Sequence, residues 1–100
     1  MIPIVRGLIS ILKRVLSKLA NMSTSYSEQE RLLLSKLGEQ IRKYRTALNV
    51  SQEKLAFSCE LDRTYIGSVE RGERNISIIN LNKVAVALKV TLPELLDFPI

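Results

Sequence analysis

The chain has 100 residues, with fifteen Lys and Arg against ten Asp and Glu, a formal charge of +5, and nearly half of its residues apolar. That length builds one compact domain and not comfortably two. With no histidine and a single cysteine, Cys59, an intramolecular disulfide and a Cys/His zinc site are both excluded.

Leu, Ile, Lys, Arg and Glu dominate, the β-branched residues form no alternating runs, and only three prolines and four glycines interrupt the chain. The composition therefore predicts an all-α fold. The basic balance invites a nucleic-acid partner, but its distribution does not locate one. Arg6, Lys13, Arg14 and Lys18 stand among the first twenty residues without an acid, and from Asn21 onward eleven basic side chains face ten acidic ones.

In the first segment Val5, Leu8, Leu12, Val15 and Leu19 recur at steps of three and four, with Ile4, Ile9, Ile11 and Leu16 widening the stripe. This predicts an amphipathic helix over residues 1–20, of about five turns. Its longest uncharged run is Gly7 to Leu12, ended by Lys13 and Arg14, which is too short to span a membrane. No small-x-small cleavage site marks a secretory signal. Three roles stay open for this segment: a dimerisation or packing helix, attachment to an anionic membrane surface, or a stretch upstream of a true start at Met22.

Residues 21–32 read as a polar linker and the start of the next helix, with Ser27 and Glu30 in the spacing of a capping box. Leu34, Leu37, Ile41, Tyr44 and Leu48 supply that helix's apolar face, either unbroken or bent near Gly38. Ser51 caps a short helix carrying Leu55 and Ala56, and a turn at Cys59, Glu60 and Leu61 leads to Asp62, the N-cap of the next. After a loop from Arg71 to Asn75, Ser77 caps a helix through Leu81, Val84, Ala85 and Leu88. Thr91 and Glu94 then form a second capping box, ahead of Leu95 and Leu96.

The stretch from Ser51 to Glu70 is the most informative. Two short helices joined by a tight turn cross steeply and need a small residue where they touch, and Ala56 supplies it. With Ile66 and Val69 turned inward, the second helix is expected to present Arg63, Thr64, Gly67 and Ser68 outward. Arg can bind guanine O6 and N7 through two hydrogen bonds, and Thr offers a hydroxyl and a methyl to thymine.

From about Leu37 to Phe98 the chain resembles the Cro-like, phage-repressor (XRE-like) helix-turn-helix family. The resemblance rests on Ile41-Arg42, Arg45, Ser51-Gln52, Leu55-Ala56 and Val69-Glu70-Arg71-Gly72. Leu61 to Ile66 and Arg74-Asn75 look especially like controller proteins of restriction–modification systems. It implies a five-helix λ-repressor-like domain over residues 33–100, binding a near-palindromic double-stranded operator as a homodimer and blocking or recruiting RNA polymerase. Arg63, Thr64, Gly67 and Ser68 would read bases; Gln52, Tyr65, Arg74 and Asn75 would meet phosphates; Arg45 and Glu70 would form a structural ion pair. Where the family usually has Gly or Asn in the turn, this chain has Glu60, at a site that needs a left-handed backbone.

No nucleophile with a base, metal set or carboxylate pair is visible, so the reading is of a non-enzyme without cofactor or metal; a lone cysteine fits the reducing cytoplasm, and a membrane surface is the less favoured partner. The competing reading is a protein-interaction module on the same fold, such as an antitoxin or scaffold. Cys59 reads as a small core filler at the turn.

Overall fold

The computed structural model describes residues 7–14 and 25–100, and every regular element among them is a helix. A helix at residues 7–14 (α1) precedes α2 (Glu28–Ala47), α3 (Gln52–Cys59), α4 (Arg63–Glu70), α5 (Ile78–Ala87) and α6 (Leu92–Leu95). The chain divides into two compact units, Met1–Glu30 and Arg31–Ile100. In α1, Leu8, Ile9, Ile11 and Leu12 are all exposed. Ile4, Val5, Val15, Leu16 and Leu19, the rest of the expected stripe, lie outside the described residues. No helix among the described residues is long and apolar enough to cross a membrane.

Each of the helices α2 to α6 starts where a side chain satisfies the free backbone N–H groups of its first turn. Ser27 and Glu30 exchange the two bonds of a capping box (2.8 and 3.2 Å) ahead of α2. Ser51, Asp62 and Ser77 accept from Lys54, Thr64 and Asn80 at the starts of α3, α4 and α5. Thr91 and Glu94 close the reciprocal box on α6, with Pro93 in its first turn. Hydrogen bonds from the Thr91 backbone and hydroxyl also hold the Glu94 carboxyl below the usual carboxylate range.

Helix α2 passes through Gly38 without a break over its 20 residues. The glycine serves packing: a Cβ there would lie 2.7 Å from the Val69 carbonyl oxygen and nearer still to that of Glu70. The end of α4 can therefore press backbone against backbone on α2. Gly72 (φ 74°) is needed twice over, since its left-handed backbone also brings it against Ser35, 2.9 Å from where its Cβ would stand.

The core lies where α2, α3, α4 and α5 meet. Ile41, Leu55, Ala56, Ile66, Val69, Leu81, Val84, Ala85, Leu88 and Leu95 are all buried, as is Cys59, whose thiol reaches the Lys83 carbonyl at 3.7 Å. Burial pushes the Cys59 thiol pKa up, against a small opposing effect of Lys83, so the inert thiol is favoured over the reactive thiolate. Burying each large aliphatic side chain contributes roughly 1.5–3 kcal/mol. Leu48 and Leu96 depart from the expected pattern: both end their apolar stripes at the surface. Ile76, in the loop before α5, joins the core instead.

The C-terminal segment is tied back to α2 by Gln40, whose side-chain amide donates to the Asp97 carbonyl at 3.1 Å and the Glu94 carbonyl at 3.4 Å. These bonds, with buried Leu95, close the end of the bundle.

Candidate nucleic-acid interface

The turn between α3 and α4 sets the angle at which α4 leaves the body. Glu60 takes the left-handed conformation there (φ 58°, ψ 39°), and its N–H donates to the carbonyls of Ala56 and Phe57. The next N–H, of Leu61, returns to the Ala56 carbonyl at 2.9 Å. Asp62 then accepts from Thr64 N at 2.7 Å, fixing the first turn of α4. Ile66 and Val69 face the core, which leaves Arg63 and Thr64 exposed at the start of the helix.

Gly67 and Ser68 do not share that exposure. Gly67 is buried, not outward: it has no side chain, and Gln52 and Arg71 cover it. Ser68 is half-buried, and its hydroxyl donates to the Tyr65 carbonyl at 2.7 Å. Gln52, the first residue of α3, reaches over Gly67, so the outward face expected for that residue is closed.

Beneath the helix end lies a charge cluster. Glu70 is 3 % exposed, and its carboxylate accepts from Arg45 Nε (2.6 Å), Arg45 Nη2 (2.9 Å), Gln52 Nε2 (3.0 Å) and Arg42 Nε (3.4 Å). Arg45 also donates to the Val50 carbonyl at 2.9 Å. Burial alone would raise the Glu70 pKa, but the hydrogen bonds from Arg45 and Gln52, the Arg45 charge and the Arg42 hydrogen bond outweigh it and leave it lowered. The Arg45 guanidinium is held protonated in turn, its hydrogen bond to Glu70 outweighing its own burial. Gln52, at the first position of α3, is thus oriented by the same carboxylate that locks α2 to α4.

On the far side of α4, Tyr65 is half-buried against the core, with the Arg74 guanidinium 5.2 Å from the centre of its ring. Its hydroxyl accepts from Asn80 Nδ2 at 3.4 Å. Arg74 and Asn75 are exposed in the loop before α5. The structure therefore leaves Arg63 and Thr64 exposed on the first turn of α4, brings Arg74 onto Tyr65, sets Gln52 beside Gly67 and turns Gly67 inward. Two cations of the family resemblance had no role assigned from the sequence. Arg42 joins the Glu70 cluster from one turn before Arg45 on α2, and Arg71 lies over Gly67. The three-residue step from Arg42 to Arg45 and the seven-residue step from Thr64 to Arg71 are visible in the sequence. Each places its pair on one helix face.

Comparison with known proteins agrees with this architecture. Residues 41–95 match the helix-turn-helix family HTH_3. The control protein C.BamHI of Bacillus amyloliquefaciens is 52% identical over 62 residues, covering 61% of this chain and 76% of that protein. The crystal structure of the restriction–modification controller C.AhdI of Aeromonas hydrophila superposes with a TM-score of 0.61 at 52% identity, covering 62% of this chain and 94% of that one. The controller C.Esp1396I, crystallised as a tetramer in complex with its natural 35-base-pair operator, matches at 40% identity and a TM-score of 0.60, over 63% of this chain and 83% of that one. With the family match running through α3, α4 and α5 and over more than half of its length, this chain belongs to the helix-turn-helix family of XRE-like DNA-binding proteins.

Proposed function

We propose that the protein is a transcriptional regulator of the restriction–modification controller type, binding a near-palindromic double-stranded operator sequence-specifically as a dimer. The observation that carries this is the Asp62-capped α4 with Arg63 and Thr64 exposed on its first turn, on a scaffold half identical to control proteins. The N-terminal residues of a recognition helix are the ones that reach base edges in the major groove. Arg63 would read guanine and Thr64 thymine, while Ser68, whose hydroxyl proton is held by the Tyr65 carbonyl, would accept from a base amino group. Gln52, Tyr65, Arg74 and Asn75 would fix the register on the phosphates, and Gly67 would serve by leaving room rather than by contact.

Residues 33–100 form the DNA-binding domain in this reading. Ile79 and Val86, 69% and 68% exposed and seven residues apart on α5, offer an apolar stripe to the second copy. Occupancy of a promoter by the dimer would block or recruit RNA polymerase in the cytoplasm, with no catalytic step and no cofactor. Selection of binding sites from random duplexes tests the reading. It predicts a consensus with two related half-sites, and an enriched pool with no consensus would remove it.

A further inference from the structure

Thr64, Ser68 and Arg71 follow one line of α4, at steps of four and three. Arg71 caps the helix with right-handed backbone (φ −80°, ψ −1°), so the line continues through it, about 10 Å beyond Thr64. Its side chain lies over Gly67: a Cβ at position 67 would stand 3.2 Å from Arg71 Nη1 and 3.5 Å from Gln52 Oε1. The bare backbone at Gly67 is thus the floor on which the guanidinium rests beside the Gln52 amide. Arg71 Nε donates to Glu73 Oε2 at 3.0 Å, and its terminal N–H groups have no hydrogen-bond partner among the described residues.

This pair differs from the Glu70 cluster in the way that matters for binding. Both of its side chains are more than half exposed, and among the described residues nothing else holds the Glu73 carboxylate. A guanidinium fork fits a phosphate as well as it fits a carboxylate, so one oxyanion can replace another there. We propose that Arg71 is a backbone-phosphate contact of the DNA interface and that Glu73 occupies the phosphate's place in the free protein, to be displaced when the duplex docks. The inference rests on the DNA-binding reading above. A phosphate fits the seat better than a base does, because Arg71 stands at the C-terminal end of a helix whose N-terminal end enters the groove.

The test uses the full chain and mixed-sequence duplex DNA, since a phosphate contact is independent of sequence, with binding followed by fluorescence anisotropy across a salt series. Arg71→Gln is expected to weaken binding and to lower the slope of log K against log salt by about one. Glu73→Gln is expected to tighten binding about two- to fivefold at low salt, the worth of an exposed ion pair that no longer has to be broken. The double variant should behave as Arg71→Gln alone, because Glu73 acts only through Arg71. Thermal melting of all three should match the parent, both side chains being exposed. A slope unchanged by Arg71→Gln, or affinity unmoved by Glu73→Gln, makes the pair an ordinary surface contact and overturns the proposal while the DNA reading stands. A parent protein that binds no duplex removes the DNA reading, and this inference with it.

Discussion

Replacing Glu70 by Ala is the severest single test of how α2, α3 and α4 are held together. The substitution removes four accepted hydrogen bonds at once and leaves the Arg45 guanidinium, whose side chain is 13% exposed, with only the Val50 carbonyl. Breaking a buried pair from one side costs about 3–5 kcal/mol, chiefly because an uncompensated charge stays buried. Arg42, at 52% exposure, can turn to water, so Arg42→Ala should cost under about 1 kcal/mol. For a domain of this size, 1 kcal/mol moves the melting temperature by roughly 4–8 °C, so Glu70→Ala should melt at least about 12 °C below the parent. Replacing Arg45 and Glu70 together with Met and Leu should recover much of that loss. Differential scanning calorimetry reads all four proteins. A melting temperature for Glu70→Ala within a degree or two of the parent would refute the argument.

Arg63→Ala should remove discrimination at one G·C position per half-site, at a cost of about 1–3 kcal/mol in binding to the selected site. An unchanged selected consensus would show that the register of α4 on DNA is wrong. Glu60→Gly should stabilise the fold by up to about 1 kcal/mol in urea unfolding, because glycine has no Cβ to clash at φ 58°; a loss of stability would assign the Glu60 side chain a role of its own. Acid should act through Glu70. Because its folded pKa is lowered, the stability it contributes is full above the ordinary carboxylate value of about 4.3 and is lost as pH falls through the folded value. Glu70→Gln should therefore flatten the fall of the urea midpoint in acid, and an equally steep fall would place the responsible carboxylate elsewhere.

Local chemistry made most of the fold legible. Ser27, Ser51, Asp62, Ser77 and Thr91 each open a helix by accepting a backbone N–H, and cap residues announce themselves without knowledge of the rest of the chain. The buried Ile41, Leu55, Ile66, Val69 and Val84 follow from spacing in the same way. The left-handed turn at Glu60 was legible only through the family, since Glu by itself gives no sign of a positive φ.

What escaped depends on how helices cross. Gly67 has no side chain, so periodicity put it on the outer face, yet the approach of Gln52 and the return of Arg71 cover it. Spacing left α2 either unbroken or bent at Gly38; it runs unbroken, and Gly38 is a contact, because the end of α4 arrives there from a distant part of the chain. Arg42 and Gln52 join Arg45 on Glu70 for the same reason. Convergence of three donors on one carboxylate is a tertiary fact that no spacing within one helix reveals.

The proposed reading of a DNA sequence by α4 is the step on which the function turns. Its most direct test is competition between the selected duplex and a mixed-sequence duplex, for the parent and for Arg63→Ala, over a range of salt. The parent is expected to prefer the selected site by at least about a thousandfold, with binding to both duplexes weakening steeply as salt rises. Arg63→Ala should lose most of that preference and keep most of its affinity for mixed sequence. Equal affinity of the parent for both duplexes, or a preference untouched by Arg63→Ala, would contradict it.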